Sequence, residues 1–441
     1  MQVKVIKFGG SSLADADQFK KVAGIIKEDP SRRYVIPSAP GKRMDGDTKV
    51  TDMLYACFEK ASRGEEFEQD FKEIIDRYES IISGLGITLD LSKEYDHIKS
   101  AFMHQPGKDY AASRGEYLNG IILAKFLDYD FIDSANVIFF QDNGAFDAER
   151  TNVTLSAILR NHKCAVIPGF YGSMPNGTIK TFSRGGSDVT GSIVARAVHA
   201  DLYENWTDVS GFLMADPRIV DHPKTIETIT YRELRELSYM GATVLHEEAI
   251  FPVRFAGIPI NIKNTNAPSD PGTMIVATTP DYASDAVVTG IAGKKGFSII
   301  NIEKDMMNTE IGFGRKVLSV LEVFEKNGIS FEHMPSGIDT MSVVINTAYI
   351  QDIRDRLVTA ICLKTTPDSV SIEDGLALIA IVGRGMVRSK GTAARVLSAT
   401  SEAGINIRIV DQGSSELNII IGVDEADYEK ALRAIYNEFV K

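Results

Sequence analysis

The sequence predicts an α/β domain with a mostly parallel central sheet covered by helices, followed by two smaller α+β modules of βαββαβ, ferredoxin-like type. Three observations predict it. Residues 2–8 read as a buried strand (Val3, Val5, Ile6, Phe8), Gly9-Gly10-Ser11-Ser12 as a turn with a helix cap, and Phe19, Val22, Ala23 and Ile26 as one apolar helix face. Strand-like runs at Tyr34–Ile36, Val137–Phe140, Cys164–Pro168, Asp201–Trp206 and Ile258–Lys263 alternate with amphipathic stretches at 53–83 and 92–128 and with helix starts near Thr151 and Ser187. Such alternation argues for a parallel sheet with both faces covered. After a boundary at 266–285, which holds three of the 15 prolines, a unit of strand, loop, helix, strand, strand, helix occurs twice. Its helices end at Gly328-Ile329 and Gly404-Ile405, where glycine accepts a left-handed cap, and the repeat spans roughly 75–80 residues.

Composition narrows the function. The chain has 441 residues, 44% apolar and 24% charged, enough for several cores of ordinary globular type. A net charge of -12 argues against a nucleic-acid binder, whose affinity rests on Lys and Arg. The three cysteines, Cys57, Cys164 and Cys362, are far apart; they have no metal spacing and read as small buried apolar residues of a reducing compartment. The N-terminus runs directly into a strand, unlike a signal peptide, and no apolar run reaches the ~18 residues of a membrane span. A cytoplasmic location is the expectation, with no membrane and no nucleic acid among the partners.

Four motifs carry chemistry. In Lys7-Phe8-Gly9-Gly10-Ser11-Ser12 the glycines let backbone approach a phosphate, the helix start favours negative charge, and Lys7 adds a point charge. The plain alternative is a strand-to-helix turn with a surface lysine. Ser183-Arg184-Gly185-Gly186-Ser187-Asp188 packs an arginine, two glycines, a cap hydroxyl and an acid into six residues, a good anion site; alternatively Asp188 only complements the helix dipole. Asn205-Trp206-Thr207-Asp208 followed by Asp216-Pro217-Arg218 fits a loop at the C-terminal edge of a parallel sheet, with Trp206 in the core. Ser113-Arg114-Gly115-Glu116, read from pattern alone, is a solvated helix start.

Together and in order, these blocks resemble the aspartokinases of the amino-acid-kinase family. Lys7-Phe8-Gly9-Gly10-Ser11-Ser12 is similar to that family's KFGGTS signature with Ser11 in place of Thr. Pro271-Gly272-Thr273 resembles its closing catalytic block, and Asp411-Gln412-Gly413-Ser414-Ser415-Glu416-Leu417-Asn418-Ile419 its ACT-domain signature. The resemblance implies an amino-acid-kinase domain over 1–284, an inserted ACT domain over 297–373, and a second ACT domain assembled from 285–296 and 374–441. The implied reaction is ATP-dependent phosphorylation of the side-chain carboxylate of L-aspartate, the first step toward lysine, threonine and methionine. Lys7 and Asp188 would organise transfer. Glu116 would take the substrate ammonium and Arg184 its carboxylate, with Ser38, Thr51 and Ser187 lining the pocket. Lys7, Gly9, Gly10, Ser11, Gly169, Gly172, Thr207, Asp208, Leu213 and Arg218 would hold ATP, and Mg²⁺ would ride on its phosphates, with no metal site of the protein's own.

Three departures stand out. Thr243 replaces a family lysine; either Lys263 substitutes for it or the charge is simply absent. Leu213 replaces a tyrosine near the nucleotide. The loop Gly41–Lys49 is longer and more charged than usual, and reads equally as a lid or as a solvated insertion. In the C-terminal half, Met307, Asn308, Thr309, Ile311 and Gly312 on one segment, and His333, Met334, Ser336, Asp339 and Thr340 on another, would border an effector pocket; lysine is the first candidate and threonine the second. Assembly as a homodimer or dimer of dimers through ACT domains is implied, and no fused homoserine dehydrogenase is expected.

Overall fold

The computed structural model describes residues 2–440 other than 105, 184, 243–249, 279–285 and 324–328. It divides into two compact units: Met1–Phe212 with Thr225–Leu234 and Thr243–Pro280, and Leu213–Lys224 with Arg235–Ala242 and Asp281–Lys441.

Up to residue 280 the described elements are β1 (Lys4–Phe8), α1 (Ala16–Glu28), β2 (Arg32–Pro37), α2 (Val50–Ser62), α3 (Glu68–Leu85), α4 (Ser92–Met103), α5 (Lys108–Leu127), β3 (Asp130–Phe131), α6 (Ala148–Leu159), β4 (Ala165–Val166), β5 (Tyr171–Ser173), β6 (Ile179–Thr181), α7 (Gly186–Ala197), β7 (Leu202–Thr207), β8 (Thr228–Thr230), α8 (Tyr231–Tyr239), α9 (Phe251–Ala256), β9 (Ile260–Asn264) and β10 (Thr273–Val276). Eight strands form one sheet in the order β3-β4-β2-β1-β7-β9-β10-β8, and only the β9–β10 pair is antiparallel. The expected mostly parallel sheet is therefore present. The central strands are buried, with Val5, Ile6, Phe8, Val35 and Tyr203 inaccessible or nearly so. Loops leaving β1, β2, β4 and β7 all emerge at their C-terminal ends, the edge where open α/β sheets bind ligands.

Several local expectations change. The expected helices 53–83 and 92–128 are each broken, at 63–67 and 104–107. Val137–Phe140 makes only isolated bridges, Phe139 to Ser173 and Phe140 to Phe146. Gly10–Leu13 is a 3-10 turn, and the cap of α1 is Asp15, which accepts from the Gln18 amide at 2.9 Å, rather than Ser11 or Ser12. Cys57 is buried, but Cys164 and Cys362 are only half-buried. Trp206 is core: its ring stacks on Phe8 at 6.0 Å, and Nε1 donates to Glu204 Oε2 at 2.9 Å. Among the described residues, no helix is long and apolar enough to cross a membrane.

The second unit is built on β11 (Gly290–Glu303), α10 (Phe313–Val323), β12 (Thr340–Asn346), α11 (Arg354–Thr365), β13 (Ser369–Val382), α12 (Thr392–Glu402), β14 (Ile407–Asp411), β15 (Asn418–Asp424) and α13 (Tyr428–Val440). One antiparallel sheet carries them, in the order β12-β11-β13-β15-β14. β11 and β13, 14 residues each, run side by side from Gly290↔Val382 to Glu303↔Ser369, with register shifts around Phe297. β12 joins the Phe297–Glu303 half and β15 the Leu376–Val382 half. Each half has its own core. Ile300, Ile302, Val317 and Leu357 belong to one, and Ile379, Ile381, Val396 and Leu432 to the other. The two repeat units are thus real as packing units, yet they share both long strands. Gly404 takes the expected left-handed φ of 66°, while its counterpart Gly328 lies outside the described residues.

Candidate active site

The β1–β7 register sets Lys7 directly opposite Asn205. Lys7 Nζ lies 2.6 Å from Asp188 Oδ1 and 3.4 Å from Asn205 Oδ1, and Asn205 Nδ2 donates to Asp188 Oδ1 at 2.9 Å. All three side chains are largely buried. Asp188 sits in the first turn of α7, whose N-cap Gly185 has a φ of 58°. A lysine, an acid and a helix N-terminus converge beneath the Gly9-Gly10 turn. The sequence named Lys7 and Asp188; Asn205 was missed, although its place in the Asn205-Trp206-Thr207-Asp208 strand was visible.

The Gly9-Gly10 turn also lines a cavity of about 810 Å³, of the size small-molecule sites have, whose lining does not include Lys7, Asp188 or Asn205 themselves. Its lining joins Gly9, Gly10 and Ser11 after β1, Ser38 to Asp45 and Lys49 after β2, Thr51 on α2, Glu116 on α5, and Thr207 with Asp208 after β7. Gly10 and Gly41 touch through their backbones: Gly41 N–H donates to the Gly10 carbonyl at 2.8 Å, and a Cβ on Gly41 would stand 2.6 Å from the Gly10 carbonyl carbon.

Ser113, Arg114, Gly115 and Glu116 lie within α5 and all are buried, which corrects the solvated helix start expected from pattern. Small residues make this possible. Gly115 lies against Ala39 and Gly120 against Pro168, with no room for a Cβ at either. Arg114 is ringed by Tyr110, Tyr117 and Tyr171 at 4.6, 4.5 and 5.4 Å and donates to Ser113 Oγ. Glu116 Oε2 is buried without a hydrogen-bond partner. Burial pushes the Glu116 carboxyl up to about 8, against the pull of the Ala39 backbone amide, its own amide and the Arg114 charge. A buried carboxylate with a free oxygen, lining a cavity, is fitted to receive a cationic group.

The remaining expected residues fall in different places. Ser187 is buried against Gly169, where a Cβ would come 2.5 Å from Ser187 Oγ. Gly172 is packed on Ile138. Leu213 and Arg218 belong to the second unit; Arg218 is exposed and paired with Asp216 at 2.6 Å. Arg184 and Thr243 lie outside the described residues. Lys263 has its ammonium 5.2 Å from the centre of the Trp206 ring, and burial lowers its affinity for a proton. In the second unit the two expected effector segments meet: Asn308 N–H donates to the Ile338 carbonyl at 3.1 Å, and Lys304 N–H to the Asp339 carbonyl at 2.9 Å. Met307 is buried beneath them, whereas Thr309, Ile311, Gly312, Ser336 and Thr340 are exposed and Met334 is half-buried. His333 Nδ1 is 2.9 Å from Asp411 Oδ2.

Known proteins with the same sequence pattern were found over the whole chain. The amino acid kinase family model matches residues 2–264, and an ACT domain model matches 379–439. Aspartokinase 3 of Bacillus subtilis is 39% identical over 99% of this chain and 98% of its own length. A bifunctional aspartokinase/homoserine dehydrogenase of Haemophilus influenzae is 27% identical over 98% of this chain, which spans 56% of that longer protein. Among solved structures, the aspartate kinase of Clostridium acetobutylicum superposes with a TM-score of 0.92 at 55% identity, covering 99% of this chain and 100% of its own. Aspartokinase III of E. coli, at 24% identity and a TM-score of 0.73, shares the fold. With a family model over more than half its length and a full-length relative at 39% identity, the chain belongs to the aspartokinases of the amino acid kinase family, with C-terminal ACT domains.

Proposed function

We propose that this aspartokinase transfers the γ-phosphoryl group of ATP to the side-chain carboxylate of L-aspartate within the cavity that Gly9-Gly10-Ser11 and Glu116 both line, giving 4-phospho-L-aspartate. The observation that carries the reading is Glu116: a buried carboxylate with one unpaired oxygen, in a cavity whose other wall is a glycine turn backed by Lys7. An amino acid brings an ammonium to the first, and a nucleotide brings phosphates to the second. Arg184 then takes the α-carboxylate, and Ser38, Thr51 and Ser187 complete the substrate pocket. Gly169 supports Ser187 from behind. Gly9, Gly10, Ser11, Thr207 and Asp208 line the nucleotide side. Gly172, Leu213 and Arg218 are assigned to ATP by resemblance alone.

The carboxylate of aspartate is already an anionic nucleophile, so no general base is needed. Catalysis is positioning plus neutralisation of charge on the transferring group. Lys7, held by Asp188 and Asn205, supplies fixed positive charge under the glycine turn. Asp208 at the cavity wall and Asp188 offer oxygens of the type Mg²⁺ accepts; carried by the nucleotide phosphates, the ion would neutralise developing charge.

The same proposal gives the C-terminal unit a sensing role. Its domain division is an inserted ACT domain over 297–373 and a second over 285–296 with 374–441, which the two separate cores of the shared sheet support. The effector is lysine, held where the 307–312 and 333–340 segments meet. Asp339, exposed there, suits an ammonium. The Clostridium relative is an allosteric enzyme, and the E. coli protein of the same fold has been crystallised with lysine and aspartate. The outer edge of β14 has no strand partner among the described residues, which suits pairing with a second copy.

A hydroxamate trap for the acyl phosphate, run over a panel of acidic amino acids as substrates and with lysine and threonine as inhibitors, tests the whole reading. Aspartate is the expected acceptor, and Glu116→Ala is expected to raise its KM more than that of ATP. An unchanged aspartate KM in Glu116→Ala would sink the substrate assignment.

A further inference from the structure

The Gly41–Lys49 loop is a built wall. Asp47 accepts from Arg43 Nε at 2.9 Å and Nη2 at 3.0 Å, and from Arg77 Nη1 at 2.8 Å. Arg77, buried on α3, also donates Nη2 to the Gly41 carbonyl at 2.6 Å. Gly41 in turn is bonded to the Gly10 carbonyl. The loop is therefore tied at one end to the glycine turn and at its middle to a helix of the core. A solvated insertion would have neither anchor.

Counting the cations around the cavity shows what this wall is for. Lys7 is taken by Asp188, Arg43 by Asp47, and Lys263 lies over Trp206 outside the lining. Thr243 carries no charge. Lys42 and Lys49 line the cavity, and their ammonium groups have no hydrogen-bond or ion-pair partner among the described residues. A triphosphate needs several cations, and a lysine serves as a mobile point charge for phosphate.

We propose that the Gly41–Lys49 loop is the cationic wall of the phosphate site, with Lys42 and Lys49 binding the nucleotide polyphosphate and supplying the charge that Thr243 lacks. This rests on the nucleotide reading of the cavity. Lys42 follows Gly41, whose backbone lies on Gly10, so the wall faces the same turn that offers its amides to phosphate. The anchoring by Arg77 and Asp47 keeps the ammonium groups near the site before nucleotide arrives, so less ordering is needed on binding.

The test is ADP binding by calorimetry to the full-length enzyme and to the double variant Lys42→Ala/Lys49→Ala, with adenosine as a phosphate-free comparison. Loss of both contacts is expected to weaken ADP by about tenfold or more, to leave adenosine within about twofold, and to make the dependence of ADP affinity on salt shallower. In steady state, the KM for ATP rises by a similar factor while that for aspartate stays within about twofold. Lys42→Arg/Lys49→Arg restores most of the ADP affinity, because the charge is kept. ADP binding within about twofold of the parent in the double alanine variant overturns the loop assignment. So does a rise in the aspartate KM alone, which would put the lysines on the substrate side. A parent enzyme that binds no ADP at all would instead overturn the nucleotide reading beneath it.

Discussion

Lys7 and Asp188 meet at 2.6 Å beneath the glycine turn, one from the first strand of the kinase unit and the other from the first turn of α7. The pair is mostly buried, so each charge depends on the other. Lys7→Ala is expected to reduce kcat by at least about a hundredfold, the scale of a lost electrostatic contact to a transition state. It also strands Asp188, and the thermal midpoint falls with a loss of about 3 kcal/mol while the protein remains folded. Lys7→Met combined with Asp188→Asn recovers much of that stability and none of the activity. Denaturant melts beside the hydroxamate assay separate the two effects.

In the proposed substrate site, Glu116 is the group that brings a sensitivity to pH. Its carboxyl is raised from 4.5 to about 8 in the folded protein, chiefly by burial. The folded state therefore holds this proton more tightly than the unfolded state, and the group's contribution to stability is lost as pH rises through the window between those values. Pairing with the substrate ammonium requires the ionised form. Aspartate binding at pH 7 is then expected to release a proton, and kcat/KM for aspartate to fall as pH drops below about 8. Glu116→Gln is expected to remove both the proton release and the stability change in that window. Calorimetry of aspartate binding in buffers of different ionisation enthalpy checks the first, and pH-dependent melts check the second.

Gly169 holds Ser187 in place by leaving it room. A methyl group at Gly169 would lie 2.5 Å from Ser187 Oγ and 2.8 Å from its Cα. Gly169→Ala is expected to cost about 1–3 kcal/mol of stability by overpacking and to raise the aspartate KM by displacing Ser187. Gly24→Ala, where nothing lies within 4 Å of the added atom, serves as the comparison, and its exposed helical position favours alanine.

His333 and Asp411 join the two halves of the second unit at 2.9 Å. If the segment beginning at His333 borders the effector, His333→Ala is expected to raise the lysine concentration for half-inhibition by about tenfold, while stability changes by less than about 1 kcal/mol, as for a partly exposed pair. Inhibition curves with lysine and with threonine, beside a thermal melt, measure both quantities.

Much of the candidate site's geometry was legible because its signals are local. Lys7 and the Gly9-Gly10 pair occupy one short stretch of sequence, and so do the Gly185-Gly186 pair and Asp188, although the helix caps fall at Asp15 and Gly185 rather than at the serines that the sequence suggested. The burial of α5 was not legible, because its buried residues surround the helix: beside the face of Ala111, Gly115, Leu118 and Ile122, the polar or small Ser113, Arg114, Glu116, Gly120 and Ala124 on its other sides are inside as well. The role of Asp47 was hidden for another reason. Its second partner, Arg77, comes from helix α3, thirty residues on, and contacts of that kind leave no trace in spacing. The continuity of β11 was hidden because the sequence reading divides residues 285–296 and 297–373 between two modules, on either side of Gly296. The strand passes through it because Gly290–Lys294 and Phe297–Glu303 pair with the same neighbour, and a register shift absorbs the irregularity.

That shared pair of strands also has a consequence for synthesis. β11 is translated well before β13, and its Gly290–Lys294 half, whose strand partner is β13, gains the core of Ala377, Ile379 and Ile381 around Ile291 only when Ser369–Val382 has left the ribosome. Pairings so distant in sequence close slowly. The second unit therefore waits on its own later residues, and a nascent chain stopped before residue 369 leaves the Gly290–Lys294 half of that strand unpaired, exposed to misassociation. The kinase unit carries a longer delay of the same kind, because β1 pairs early with β2 but its other neighbour, β7, begins only at Leu202.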